Sequence, residues 1–156
     1  MNNDERTIYF HVGLPKTAST FLQTQVFPEL KGIRFIKKHD FKKYPSLASR
    51  YPNGNLLFST ELNIGKAKTN EKIIQFASYF PHARTILVIR RHDRWIRSKY
   101  KHHIRKHGQL SFDEFFNLDN TGKVKTTELF FMDKIRFLEN HFHHPPLVLF
   151  QEDMLN

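Results

Sequence analysis

The run from Arg84 to Arg90, R-T-I-L-V-I-R, constrains this chain more than any other stretch. Thr85 to Ile89 are β-branched and apolar without alternation, the pattern of a central parallel strand covered on both faces. Parallel neighbours require long crossover connections, and the rest of the sequence supplies them. Strand-type runs occur at Thr7–Val12, Ile33–Ile36, Leu56–Phe58 and Leu147–Phe150. Helical spacing follows Phe21, Leu22 and Val26, with Pro28 and Gly32 closing that helix. A polar excursion from Lys37 to Asn55 has room for a short helix anchored by Tyr44, Leu47 and Tyr51. Thr69 and Asn70 cap a helix through Tyr79, and a basic helix spans Asp93 to His107 with Gly108 as its stop. Ser111 and Glu114 form a capping box. A longer helix from Thr126 to Phe142 carries Leu129, Phe130, Met132, Ile135, Phe137 and Leu138 on its buried side. The expected fold is α/β: a three-layer sandwich around a mainly parallel sheet, with ligands at the carboxyl ends of the strands.

The 156 residues fit one domain, 1–156, and no composition shift marks a boundary inside it. With no Cys there is neither a disulfide nor a thiolate nucleophile, and no stretch has the length and apolarity of a membrane span. A polar start at Met1–Arg6 makes the cytoplasm the expected location. The formal charge of +10 directs attention to anions: nucleic acid, acidic polysaccharide, anionic lipid or a nucleotide.

Two passages give that charge a place. Between the first strand and its helix lies G-L-P-K-T-A-S-T, Gly13 to Thr20, where Lys16 and the hydroxyls of Thr17, Ser19 and Thr20 meet a helix N-terminus. Such a site suits phosphate or sulfate. It is not the nucleotide-triphosphate loop, because Ala18 and Ser19 stand where that pattern has Gly and Lys. An ordinary turn with a capping Thr and a solvated Lys is the bland alternative. In the second passage, L-V-I-R-R-H-D-R-W-I-R-S-K-Y, only one of Arg90 and Arg91 can face the cleft, and Ser98 lies eight residues beyond Arg90, where its hydroxyl can share a phosphate with the guanidinium. Arg94, Arg97 and Arg105 read as a solvated helical face, with Arg94 a further candidate for the nucleotide. Trp95 reads as core, with adenine stacking as the alternative.

The loop P-K-T-A-S-T-F-L after the first strand, together with R-x8-S and its intervening R-H-D-R, resembles the sulfotransferase family that uses 3′-phosphoadenosine 5′-phosphosulfate (PAPS). The resemblance implies a P-loop nucleotide-hydrolase-like form of the α/β sandwich and transfer of a sulfuryl group from this co-substrate to an acceptor hydroxyl or amine, with a carbohydrate among the candidate acceptors and no metal. It implies Lys16, Thr17, Ala18, Ser19 and Thr20 at the 5′-phosphosulfate, and Arg90 and Ser98 at the 3′-phosphate. Lys16 and Glu61 are the expected catalytic residues, Glu61 as base, with His11 competing for that role. Ser59 and Thr60 either bind substrate or cap a turn. Ala18 stands where many members have Gly, and members generally continue past a late strand like Leu147–Phe150, so the chain is expected to lack the C-terminal part of such a domain. Two other classes remain: a nucleic-acid or polyanion binder using the basic stretch Arg84–Lys106, and a nucleotide kinase that requires Mg²⁺. His102, His103 and His107, or His141, His143 and His144, lack the partners of a strong metal pattern and read as solvated.

Overall fold

The computed structural model describes residues 6–154. Five strands form one parallel sheet: β1 (Ile8–Gly13), β2 (Ile33–Ile36), β3 (Asn55–Glu61), β4 (Arg84–Ile89) and β5 (Leu147–Phe150), in the order β2-β3-β1-β4-β5. The helices are α1 (Ser19–Phe21), α2 (Tyr44–Arg50), α3 (Ala67–Tyr79), α4 (His92–Arg105), α5 (Phe112–Phe115), α6 (Phe131–Glu139) and α7 (Gln151–Met154). The order reverses at β1: the chain leaves it toward β2 and β3, then crosses back to β4. The carboxyl ends of β1 and β4 therefore flank a crevice of the kind where such sheets bind ligands.

Strand alternation sorts the core into two faces. Phe10, Val12, Leu56, Phe58, Leu87 and Ile89 point to one face and pack with Ile73 and Phe76 of α3 and Leu138 of α6. Leu57 and Val88 point to the other, where they meet Leu22 and Phe27. Helices thus cover both faces of the sheet, and the continuous run Thr85–Ile89 is explained. The aromatic content is concentrated on the first face, where Phe76 lies 4.2 Å from Phe10 and 5.6 Å from Phe41 between ring centroids.

Several local expectations are corrected. The first helix is not regular: α1 passes into a π-turn at Leu22–Val26 and a 3-10 turn at Phe27–Glu29. α3 begins at Ala67, ahead of Thr69 and Asn70, with no side-chain cap. α4 stops through His107, whose φ is 60°, and not through Gly108. His107 N–H donates to Ile104 O and Gly108 N–H to His103 O, both at 2.9 Å, the paired closing bonds of a left-handed helix end. Gly108 has a different role, since a Cβ there would sit 2.1 Å from the His103 ring and displace it. The long helix from Thr126 is broken at Phe130, so a 3-10 turn over Thr126–Leu129 precedes α6. That break leaves Phe130 and Met132 exposed, at 50% and 57%, and turns Phe131 inward instead. β5 is an edge strand with both terminal residues, Leu147 and Phe150, exposed rather than buried.

Candidate functional site

The loop after β1 is built from backbone as much as from side chains. Gly13 pairs with Glu61 across β1 and β3, and a Cβ on Gly13 would lie 2.5 Å from Ser19 Oγ and 2.7 Å from Thr60 O. The loop can fold down onto β3 only because that Cβ is missing. Lys16 and Ala18 both take left-handed conformations, φ 67° and 61°. For residues with a side chain this costs of order 1–3 kcal/mol each and marks a backbone constrained by something else. Ala18 is left-handed and is followed by helical Ser19, a backbone turn of the kind that can aim successive N–H groups at one anion.

The hydroxyls do not all have the role expected of them. Thr17 is 0% exposed and its Oγ1 donates to Leu14 O at 2.8 Å, so its side chain braces the loop from inside. Ser19 Oγ, also buried, reaches the same carbonyl at 3.5 Å. Neither caps the helix, since Ala18 holds the cap position without a side-chain bond. Thr20 is exposed, and Lys16 is partly exposed. Burial lowers the Lys16 pKa, Arg105 and Lys99 lower it further, and Glu61 opposes them.

At the tip of β4 the alternation is resolved. Arg91 is exposed and pairs with Asp93 at 3.1 Å, while Arg90 turns in. Its Nη1 donates to Lys16 O at 3.3 Å, and its Nε lies 4.0 Å from Glu152 Oε1. Nε is buried without a hydrogen-bond partner. Arg90, Arg94, Arg97, Ser98 and Lys101 line one shallow cavity of about 490 Å³. Arg94 and Arg97, read from sequence as a solvated face, are exposed but stand around this cavity with Arg90 and Ser98. The structure thus brings Arg90 and Ser98 to one cavity, with the backbone carbonyl of Lys16 against the Arg90 guanidinium. Trp95 is core: it is 2% exposed, and its Nε1 donates to Pro15 O at 2.8 Å, tying α4 to the loop. Lys99 lies over its ring at 4.5 Å and pairs with Glu128.

Glu61, at the end of β3, is exposed and bonded to Lys38 Nζ at 2.9 Å. Its charge acts on Lys16 through space, favouring the charged ammonium. The competing base, His11, is fully buried on the sheet face of α1. Its Nδ1 lies 2.8 Å from Ser59 Oγ, which also accepts from Gln23 Nε2 at 2.9 Å, and burial pushes its pKa down to about 4. That is a neutral core histidine, and Ser59 and Thr60 are buried with it. Three contributors were not legible in the sequence. Lys38 and Gln23 come from segments without a motif, and Glu152, beside Arg90, belongs to an acidic pair that carries little signal alone.

Among the described residues, no three His, Asp or Glu side chains converge as metal ligands, and no helix is long and apolar enough to cross a membrane. The parallel sheet with helices on both faces is the fold of the sulfotransferases. The solved structure of mouse sulfotransferase SULT7A1 complexed with PAP matches 95% of this chain with a TM-score of 0.52 and 19% sequence identity. This chain corresponds to 52% of the mouse chain, about half its length. No protein-family model and no curated protein matches the sequence.

Proposed function

We propose that this protein binds PAPS and transfers its sulfuryl group to a hydroxyl or amine of an acceptor. The observation that supports this reading is the 3.3 Å bond from the Arg90 guanidinium to Lys16 O, which holds the tip of β4 against the loop after β1, so that a single adenosine phosphorylated at both ends is the ligand we assign to the two passages. The PAP bound by the structurally similar mouse protein is such a nucleotide. The 5′ end falls to Lys16, the backbone turn at Ala18–Ser19 and the exposed hydroxyl of Thr20. Thr17 contributes through its backbone. Arg90 and Ser98 take the 3′-phosphate, with Arg94, Arg97 and Lys101 deepening the positive field.

The chemistry needs an in-line attack, an acceptor relieved of its proton and stabilisation of charge on the leaving phosphate. The acceptor oxygen or nitrogen bonds to sulfur as the bond between sulfur and the bridging 5′-phosphate oxygen breaks. Glu61 takes the acceptor proton, and Lys16 with the loop amides stabilises the departing phosphate. A bound phosphate offsets the influences that lower the Lys16 pKa and favours its charged form. Removing one such donor typically raises the barrier by about 3 kcal/mol.

The test is a thermal-shift titration with 3′-phosphoadenosine 5′-phosphate, AMP and ATP. Saturation at a hundred times the dissociation constant adds about 2.7 kcal/mol. Stabilisation selective for the 3′-phosphorylated compound and independent of Mg²⁺ supports the reading. An equal response to AMP, or a Mg²⁺-dependent preference for ATP, contradicts it. The basic face of α4 supports polyanion binding as a second reading, which predicts a steep loss of duplex binding between low and moderate salt.

A further inference from the structure

We propose that the groove beside Glu61 takes an acidic saccharide as acceptor, and that an anionic group of that acceptor frees the Glu61 carboxylate by competing for Lys38. This deepens the sulfuryl-transfer reading and rests on it for the role of Glu61. The groove, about 860 Å³, lies between the 3-10 segment Lys38–Lys43 and α3, and it runs up to Glu61. Its walls are fixed. Phe41 is buried and stacks on Phe10 at 5.5 Å and on Phe76 at 5.6 Å, which holds Lys38 and Lys42 on one rim while Lys72 of α3 stands on the other. Phe41, Tyr44 and Leu62 supply apolar floor, and Glu61 is the one acidic residue among the described lining.

An open groove with an apolar floor and a cationic rim suits pyranose rings bearing carboxylates: their C–H faces lie on the floor and their charges meet the lysines. A neutral phenol would use the floor and leave the rim unpaired. Lys38 is already engaged, donating to Glu61 Oε2 at 2.9 Å, but the pair is 51% and 36% exposed, so it exchanges partners readily. While the pair lasts, that oxygen faces an ammonium and not an acceptor hydroxyl. An acceptor carboxylate on Lys38 releases it. The freed oxygen accepts the acceptor proton as the new O–S bond forms and the S–O bond to the nucleotide breaks, with the 5′-phosphate as leaving group.

The protein is first saturated with 3′-phosphoadenosine 5′-phosphate, whose own thermal shift reports the nucleotide site separately. It is then titrated by calorimetry with a hexasaccharide of alternating glucuronic acid and N-acetylglucosamine, and with the same compound after reduction of its carboxyl groups to alcohols. The carboxylated form should bind about tenfold tighter or more, as loss of a charge-assisted hydrogen bond implies. That preference should vanish in Lys38→Ala and in the double variant Lys42→Ala/Lys72→Ala. The side-chain carboxyl carbon resonance of Glu61 should move on titration, in the direction that Lys38→Ala produces without ligand. Equal affinity for the two saccharides, tighter binding of an acidic phenol such as 4-hydroxybenzoate, or a Glu61 resonance unmoved by the carboxylated sugar overturns the inference and leaves the nucleotide reading standing. Absence of the nucleotide shift with the carboxylate preference intact removes the nucleotide reading and leaves the groove's ligand supported.

Discussion

The passages that leave β1 and β4 deliver the chain from a buried strand tip toward a helix, yet the groups they offer at the two proposed anion sites differ in kind. After β1 the site is backbone: two left-handed residues, a glycine whose missing Cβ allows close approach to β3, and hydroxyls turned inward to brace the loop. After β4 it is side chain: Arg90 faces in, and Ser98, Arg94, Arg97 and Lys101 stand around it. A site made of backbone depends on the packing that forces its conformation. A site made of guanidinium groups can lose one of them with the fold intact.

The largest effect expected from this contrast is at Trp95, which joins the two passages. Trp95→Ala should cost about 3–5 kcal/mol of stability, read by denaturant unfolding, through the cavity it leaves in the core. Trp95→Phe keeps most of the packing but strips Pro15 O of its donor, at about 1 kcal/mol. A nucleotide affinity unchanged in Trp95→Phe would break the claim that packing shapes the first site.

Next comes the acid response of the floor beneath the β1 loop. The His11 pKa is lowered to about 4 from 6.5, so the unfolded chain binds the proton more tightly. Its contribution is fully present above pH 6.5 and is lost as pH falls toward 4, reaching ~3 kcal/mol. Unfolding measured across that window should be distinctly less pH-dependent in His11→Gln than in the wild type.

Arg90→Ala should act in the opposite manner. Binding of 3′-phosphoadenosine 5′-phosphate weakens by ~2 kcal/mol, about 30-fold, whereas the melting temperature without ligand changes little. A large loss of unliganded stability would show that Arg90 serves the fold. The smallest effect is at Ala18, where Gly adopts φ 61° without strain: Ala18→Gly should stabilise by up to ~1 kcal/mol in thermal unfolding.

The fold was legible because the apolar runs are of unmixed type. Thr85–Ile89 could only be a strand covered on both sides, and Thr7–Val12 and Leu56–Phe58 extend on either side of the loops they carry. Helix detail was less legible, since the π-turn at Leu22–Val26 and the break at Phe130 answer to tertiary packing and not to local propensity. The same holds at the site. The spacing of Lys16, Arg90 and Ser98 was visible, but whether a hydroxyl faces solvent or its own backbone is decided by loop conformation, as Thr17 shows. Lys38 and Glu152 reach Glu61 and Arg90 only through the sheet order, which no local pattern contains.

The central claim, that one nucleotide spans both passages, is tested most directly by calorimetry with adenosine 3′,5′-bisphosphate, adenosine 5′-phosphate and adenosine 3′-phosphate on wild type and Arg90→Ala. The bisphosphate should bind the wild type at least a hundredfold more tightly than either monophosphate, and Arg90→Ala should remove about 30-fold of the gain from the 3′-phosphate while leaving adenosine 5′-phosphate unaffected. Equal affinities for all three ligands, or a uniform loss in Arg90→Ala, would contradict it.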